Sequence, residues 1–378
     1  MLKTNHVPEW NADVSLLGYG AMRLPTVKDE DGKEKINRAE AIEQIRCAID
    51  GGVNYVDTAY GYHGGESEIV TGLALKDGYR DRVHLATKCP SWLVNEEADM
   101  YRLLDEQLAK LGVETIDFYL LHALNKGHFE KYRKFNYQKF FETAKKQGKI
   151  KRACFSFHDD YAAFSDIIAD YDWSMAQVQF NYLDDKNQAG LQGIKDAGKK
   201  GIGIVVMEPV RGGALANPPA EILSLMESQP VKRSPVEWAF SYVTAFPEVK
   251  VVLSGMSNME QVRQNLATFE KLPAYNESEL AFFTELKETY AKRVKIGCTG
   301  CNYCQPCPMG VVIPQVFRTY DEAYRVGNIP SCAWHYNAMK EKGTFADKCV
   351  ACGKCESACP QGIKIIDNLA EIAGQFAS

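Results

Sequence analysis

The chain has 378 residues, 46% of them hydrophobic and 25% charged, with a formal net charge of -5. Those proportions exclude a disordered chain, and an acidic balance without a basic stripe excludes a nucleic-acid binder. No run approaches the ~18 apolar residues of a membrane span, and the polar stretch Met1 to Val14 lacks the apolar core of a secretory signal, so a cytoplasmic protein that does not enter a membrane is expected.

From about residue 15 to 272, apolar runs alternate with amphipathic stretches. The sequence predicts strands over Ser15 to Met22, Val53 to Ala59, Val83 to Lys88 and Ile116 to His122. Four more follow at Ile150 to Phe157, Met175 to Asn181, Gly203 to Pro209 and Val249 to Gly255. Helices are predicted over Arg38 to Asp50, Glu97 to Leu111, Tyr137 to Gln147, Ser234 to Thr244 and Met259 to Phe269. In the first of these, Ile42, Ile45 and Ile49 repeat at helical spacing before Gly51-Gly52 ends the run. Strands that read as continuous apolar runs and alternate with helices form a parallel sheet. Eight such units give the expected fold class, an α/β (β/α)₈ TIM barrel, which needs about 250 residues.

Glu277 to Val294 reads as a linking helix, after which Cys, Gly and Pro dominate. The chain is therefore expected to divide into a barrel over 1–290 and a small, mainly helical domain over 291–378, with helices predicted at Pro314 to Tyr324 and Tyr336 to Lys342. Nine of the twelve cysteines fall between Cys298 and Cys359. A dense group after a cysteine-poor domain, without a signal peptide, points to metal ligation in a reducing compartment. Cys349, Cys352, Cys355 and Cys359-Pro360 follow the bacterial ferredoxin spacing, in which three close cysteines hold one cubane and the fourth reaches another. Cys298, Cys301, Cys304 and Cys307-Pro308 form a first group, one residue short before its last cysteine. Cys307 to Ile313 also echoes Cys359 to Ile365, as two copies of one unit would. Two [4Fe–4S] clusters are expected, one on Cys298, Cys301, Cys304 and Cys359, the other on Cys349, Cys352, Cys355 and Cys307. Zinc also uses C-x₂-C pairs, but a third cysteine at the same step and the Cys-Pro ends favour iron–sulfur. Cys332 is read as a buried thiol, not a ligand.

Polar residues stand at the carboxyl ends of consecutive predicted strands: Asp57, with Tyr62 five residues on, then Lys88 and His122. In a barrel those ends converge on the face where active sites lie. Reducing a carbonyl by hydride leaves an oxygen that must be protonated. A tyrosine can give that proton where a lysine held by an aspartate lowers its pKa, and a neutral histidine can orient the oxygen.

On these residues the chain resembles the aldo-keto reductases. Asp57-Thr58-Ala59, with Gly61 and Glu66, looks like that family's signature after strand two, and Phe118 to His122 like its strand-four motif. With the cysteine tail, the chain resembles the branch carrying a C-terminal ferredoxin module. The resemblance implies Asp57, Tyr62, Lys88 and His122 as a catalytic tetrad, with Tyr62 as proton donor to a small carbonyl or alcohol substrate. It implies NADP or NAD as cofactor, with Ser156 and Gln177 at the nicotinamide carboxamide and Met207 where a stacking tyrosine is common. Glu208 and Pro209 follow Met207. Ser254, Gly255, Met256, Gln261 and Asn265 occupy the adenine end without the usual cations, although Arg263 is near. Gly212 and Gly213, after Arg211, are candidates for the diphosphate, and Met22 and Arg23 for the barrel mouth. A nicotinamide passes two electrons and a cubane one, an exchange that flavins normally mediate. Three outcomes follow: a reductase whose clusters are structural or serve an electron-transfer protein partner, a flavin-binding barrel, or an electron-transfer subunit using its barrel as a docking scaffold.

Overall fold

The computed structural model describes residue 2 and residues 4–273 and 279–376, apart from the side chains of 330–332, so Cys332 and the start of the linking helix expected over 277–294 lie outside the described residues. These residues divide into two compact units, one comprising Met1–Arg211 and Glu237–Asn276, the other Gly212–Val236 and Glu277–Ser378.

In the first unit eight parallel strands close into a barrel in sequence order. They are β1 (Leu17–Gly20), β2 (Tyr55–Asp57), β3 (His84–Cys89), β4 (Ile116–Leu124), β5 (Ile150–Phe157), β6 (Met175–Gln179), β7 (Gly203–Met207) and β8 (Val249–Ser254). The helices between them include α1 (Arg38–Asp50), α2 (Ser67–Ala74), α3 (Glu97–Leu111), α4 (Tyr137–Lys146), α5 (Tyr161–Asp170), α6 (Gly190–Lys199), α7 (Pro235–Thr244) and α8 (Met259–Lys271). Their starts carry local signals: Asn37 caps α1 through the Glu40 amide, and Glu96 with Asp99 forms a capping box at α3. Two close approaches require glycine. A Cβ on Gly18 would lie 2.6 Å from Val251 Cγ1 where β1 meets β8, and one on Gly72 would lie 2.3 Å from the Leu111 carbonyl where α2 crosses α3.

β1 is shorter than the expected Ser15 to Met22, because Ser15 ends a preceding hairpin and Ala21–Arg23 coil into a 3₁₀ turn. That hairpin, Thr4–Val7 with Ala12–Ser15, is antiparallel. Its connecting turn puts Trp10 against Phe118, with ring centroids 4.8 Å apart, and Trp10 Nε1 donates to the Ser174 carbonyl at 2.8 Å. Val7, Trp10 and Val14 join the inward side chains of Phe118, Cys154, Met175 and Val205 in one buried cluster. The amino end of the barrel is thereby stoppered, and the carboxyl end holds the polar groups. A second hairpin, Thr26–Lys28 with Glu34–Ile36, follows β1.

The second unit contains α9 (Leu280–Ala291), α10 (Ile313–Val326), α11 (Ile329–Glu341) and α12 (Ile365–Gln375), the middle pair longer than the sequence predicts. Val316, Phe317, Tyr320, Tyr336, Met339, Leu369, Ile372 and Phe376 form its core, with Tyr336 stacked on Phe376 at 4.5 Å. Among the described residues no helix is long and apolar enough to cross a membrane.

Candidate functional site

Asp57 ends β2, Lys88 stands next to the end of β3, and His122 lies on β4 just before Ala123, a residue at φ +52 where the pairing with β5 shifts register. Tyr62 sits on the 3₁₀ turn after β2. The barrel brings the four together. Lys88 Nζ donates to Asp57 Oδ1 at 2.6 Å, to the Thr58 carbonyl at 2.8 Å and to the Tyr62 hydroxyl at 3.3 Å, which engages all three ammonium protons. Lys88 and Asp57 are almost wholly buried. The other Asp57 oxygen accepts from Gln177 Nε2 at 3.0 Å. Burial alone would push the lysine down, but the Asp57 carboxylate and the Tyr62 hydroxyl outweigh it and raise its pKa, so the ammonium is held charged.

His122 packs edge-on to Tyr62, with ring centroids 6.0 Å apart. Burial, reinforced by the Lys88 charge, holds the imidazole well below its ordinary pKa, and it is neutral. Its Nδ1 is buried with no hydrogen-bond partner among the described residues. A buried orphan N–H is rarer than a buried orphan acceptor, which favours the tautomer with its proton on Nε2. For Tyr62 the expected lowering by Lys88 is present, but burial outweighs it and the phenol is raised overall. The phenol therefore stays protonated, as a donor requires.

Ser156 and Gln177 are paired in register on β5 and β6, and both are buried. Ser156 Oγ accepts from the Ala123 amide at 2.8 Å, leaving its own proton to donate. Met207 ends β7, and Glu208 follows at φ +56 before buried Pro209. Arg211 Nε donates to buried Asp184 at 2.7 Å, so its guanidinium is committed within the barrel unit. Gly212 and Gly213 belong to the second unit. At the other side of the mouth, Ser254 Oγ accepts from Asn265 Nδ2 at 2.9 Å, Gln261 Oε1 accepts from the Ser257 amide at 2.8 Å, and Met256 is buried. Gly255 lies against the Arg23 side chain, and Met22 is 59% exposed beside it.

Two features escape a sequence reading. Trp92, half exposed, reaches His122 with ring centroids 5.1 Å apart; its position four residues past Lys88 was the available signal. Beneath Lys88, fully buried Glu68 accepts from Thr87 Oγ1 at 2.7 Å, and Gln107 Nε2 donates to the Lys88 carbonyl at 3.1 Å. That network fixes the strand carrying the lysine.

In the second unit, Cys298, Cys301, Cys304 and Cys359 line one cavity. Cys304, Cys307, Cys349, Cys352 and Cys355 line another. Among the described residues, no three His, Cys, Asp or Glu side chains are grouped so as to hold a metal ion. The two cysteine loops share one backbone pattern. Gly300 and Asn302, flanking Cys301, have φ +72 and +63, and Ala351 and Gly353, flanking Cys352, have φ +55 and +77. After each fourth cysteine, Gly310 and Gly362 have φ +76 and +63, and α10 and α12 begin three residues later. Left-handed residues on both sides of a cysteine turn the chain around its sulfur. Thiols on such loops match the donor chemistry of iron–sulfur clusters.

A closed eight-stranded barrel with a lysine, aspartate, tyrosine and histidine at its carboxyl mouth defines an oxidoreductase-type (β/α)₈ protein with an appended iron–sulfur domain. The aldo/keto reductase family model matches residues 16–288, and a 4Fe-4S dicluster domain model matches residues 297–364. The chain belongs to the aldo/keto reductase family. It is 26% identical to the NADH-specific methylglyoxal reductase of Escherichia coli over 310 residues, covering 69% of this chain and 92% of that one. It is 35% identical to the 6-dehydroglucose reductase of Novosphingobium aromaticivorans over 121 residues, 29% of this chain but only 38% of that protein. In fold it is similar to the aldo-keto reductase AKR11C1 of Bacillus halodurans, with a TM-score of 0.64 at 24% identity over 76% of this chain and 96% of that one.

Proposed function

We propose that the barrel interconverts small carbonyl compounds and alcohols with NADH or NADPH, Tyr62 serving as the proton donor. The observation that carries this is the buried Lys88 ammonium set between Asp57 and the Tyr62 hydroxyl, with neutral His122 beside them. A reduced nicotinamide, when bound, supplies the hydride that the carbonyl carbon accepts. His122 orients the substrate oxygen through Nε2–H. Tyr62 then gives that oxygen its hydroxyl proton, and Lys88 stabilises the phenolate left behind until solvent returns a proton. Asp57 keeps the lysine charged and in place, and Ser156 and Gln177 stand where a carboxamide can bond. The methylglyoxal reductase relative supports small 2-oxoaldehydes as first substrates and NADH as a cofactor to test beside NADPH. Purified protein should oxidise NADH or NADPH with a panel of such aldehydes. In Tyr62→Phe the rate constant should fall about 10²- to 10⁴-fold with the thermal midpoint unchanged; turnover that survives the substitution removes Tyr62 from the donor role.

The cysteine unit, taken as 291–378, would hold two [4Fe–4S] clusters, with Cys359 serving the first group and Cys307 the second, and would exchange single electrons with a protein partner in a reducing cytoplasm. The lining of the two cavities supports this pairing. Anaerobically isolated protein should contain about eight iron atoms and as many sulfides per chain. Zinc in place of iron overturns the assignment.

A further inference from the structure

The turn carrying Tyr62 continues into His63, which the proposed chemistry does not use. His63 has φ +51, and Gly64 and Gly65 follow at +66 and +97. That left-handed backbone favours glycine, although histidine is among the side chains that tolerate it. A third glycine would fit more easily, so the imidazole must do something a hydrogen atom cannot. Its Nε2 accepts a hydrogen bond from the Leu24 amide at 3.1 Å. With Nε2 as acceptor, a neutral ring carries its proton on Nδ1.

Leu24 closes the 3₁₀ turn Ala21–Arg23 after β1. A second tie joins the same segments: Ser67 Oγ donates to the Ala21 carbonyl at 2.9 Å and bonds Thr58 Oγ1 at 2.8 Å, and Thr58 is the residue whose carbonyl receives Lys88. Of these ties only the His63 one titrates. Protonating Nε2 would set one N–H against another and break it. The charged groups facing the ring are Glu34, from the hairpin strand Glu34–Ile36, and Glu66, from its own turn and paired with Arg38 at 3.3 Å. Burial is the largest influence and holds its pKa below the ordinary 6.5, outweighing the Met22 backbone beside the ring and then the two carboxylates, all of which favour the charged form.

We propose that neutral His63 is a positioning residue that ties the Tyr62 turn to the Ala21–Leu24 segment, and that its protonation releases the tie and loosens the barrel mouth in acid. The proposal rests on the reductase reading for its effect on turnover, but the tie itself can be seen without substrate. His63→Gly keeps the backbone conformation and deletes the ring. His63→Asn tolerates the same conformation and offers an amide oxygen to Leu24 that does not titrate. Wild-type kcat/KM should fall as pH drops below the ordinary histidine range. His63→Gly should be roughly five- to tenfold slower at neutral pH, the loss of one hydrogen bond, and lack that acid step. His63→Asn should recover most of the neutral rate and also lack the step. An unaltered acid step in His63→Asn, or full neutral activity in His63→Gly, overturns the proposal. In parallel, ¹⁵N-histidine spectra of the wild-type chain should show the Nδ1–H tautomer at His63, and Leu24 amide exchange should quicken on acidification. If the tie is seen while no carbonyl is reduced, the reductase reading fails and the tie stands. If Leu24 exchange ignores pH, the tie fails whatever the activity.

Discussion

At the barrel mouth Asp57, Lys88 and His122 stand on three strands, each held by a ladder on both sides and by buried partners such as Glu68 and Gln107. In the cysteine unit the thiols of each triplet fall within seven residues of chain, on loops and one short helical turn, Lys354–Ser357, shaped by left-handed turns at Gly300, Asn302, Ala351 and Gly353. The first arrangement sets its charges by packing before any ligand arrives. The second keeps its ligands close in sequence and leaves their geometry to depend on what they hold, because metal-binding energy there is folding energy.

The sharpest way to break that contrast is Lys88→Met. It leaves the Asp57 carboxylate buried without its cation, and such losses cost about 3–5 kcal/mol; denaturant midpoints measure this. A nearly wild-type midpoint would show that the mouth is not a preorganised ion pair. Next in size is iron removal by anaerobic chelation of the full chain. Amide protection in α10 and α12 should fall at least about tenfold, or 1.4 kcal/mol, while β4 and β5 keep theirs by hydrogen exchange. Equal losses in both regions would erase the distinction.

A third effect is pH-dependent. Since His122 titrates well below 6.5 in the folded chain, the unfolded chain takes up a proton there that the folded one refuses. Stability therefore declines as pH falls below 6.5, by at most about 1.4 kcal/mol per unit for this group. His122→Asn should flatten the slope between urea midpoints taken at neutral and acid pH, leaving the share of His63, His84 and His158, which burial also holds down. An unchanged slope would mean that His122 is not kept neutral by its surroundings. The smallest effect belongs to Ser156→Ala, which removes the acceptor for the Ala123 amide. It should raise the nicotinamide KM roughly three- to tenfold, the worth of one neutral hydrogen bond, with little change in kcat.

Much of this was legible in the residues. Asp57 and Lys88 could be placed because apolar runs stop near strand ends, although β4 runs on to Leu124 past His122, and α1 because Ile42, Ile45 and Ile49 repeat at helical spacing before Gly51-Gly52. Other helices were harder. α2 buries Ser67, Glu68 and Thr71, so its apolar stripe is interrupted by polar side chains; Glu68 finds its partners on β3 and α3, and Ser67 finds its own at Thr58 and the Ala21 carbonyl. The conformation of His63 was hidden because only glycine advertises a left-handed φ. The residues suggest the backbone amides at Gly212 and Gly213 for a diphosphate, and the commitment of the neighbouring Arg211 side chain to Asp184 is a long-range pairing that no spacing reveals. The opening residues read as merely polar, and Trp10 was the overlooked exception.

That tryptophan bears on how the chain assembles. The stopper is made well before its seat: the Ser174 carbonyl that receives the indole lies 164 residues downstream, and Gly203, whose missing side chain leaves room for the ring, comes later still. Contacts of such separation carry a large loop-closure cost and form slowly. The Trp10 segment must therefore wait, unseated, until β6 and β7 exist, and a nascent chain halted before them exposes an indole with nowhere to go.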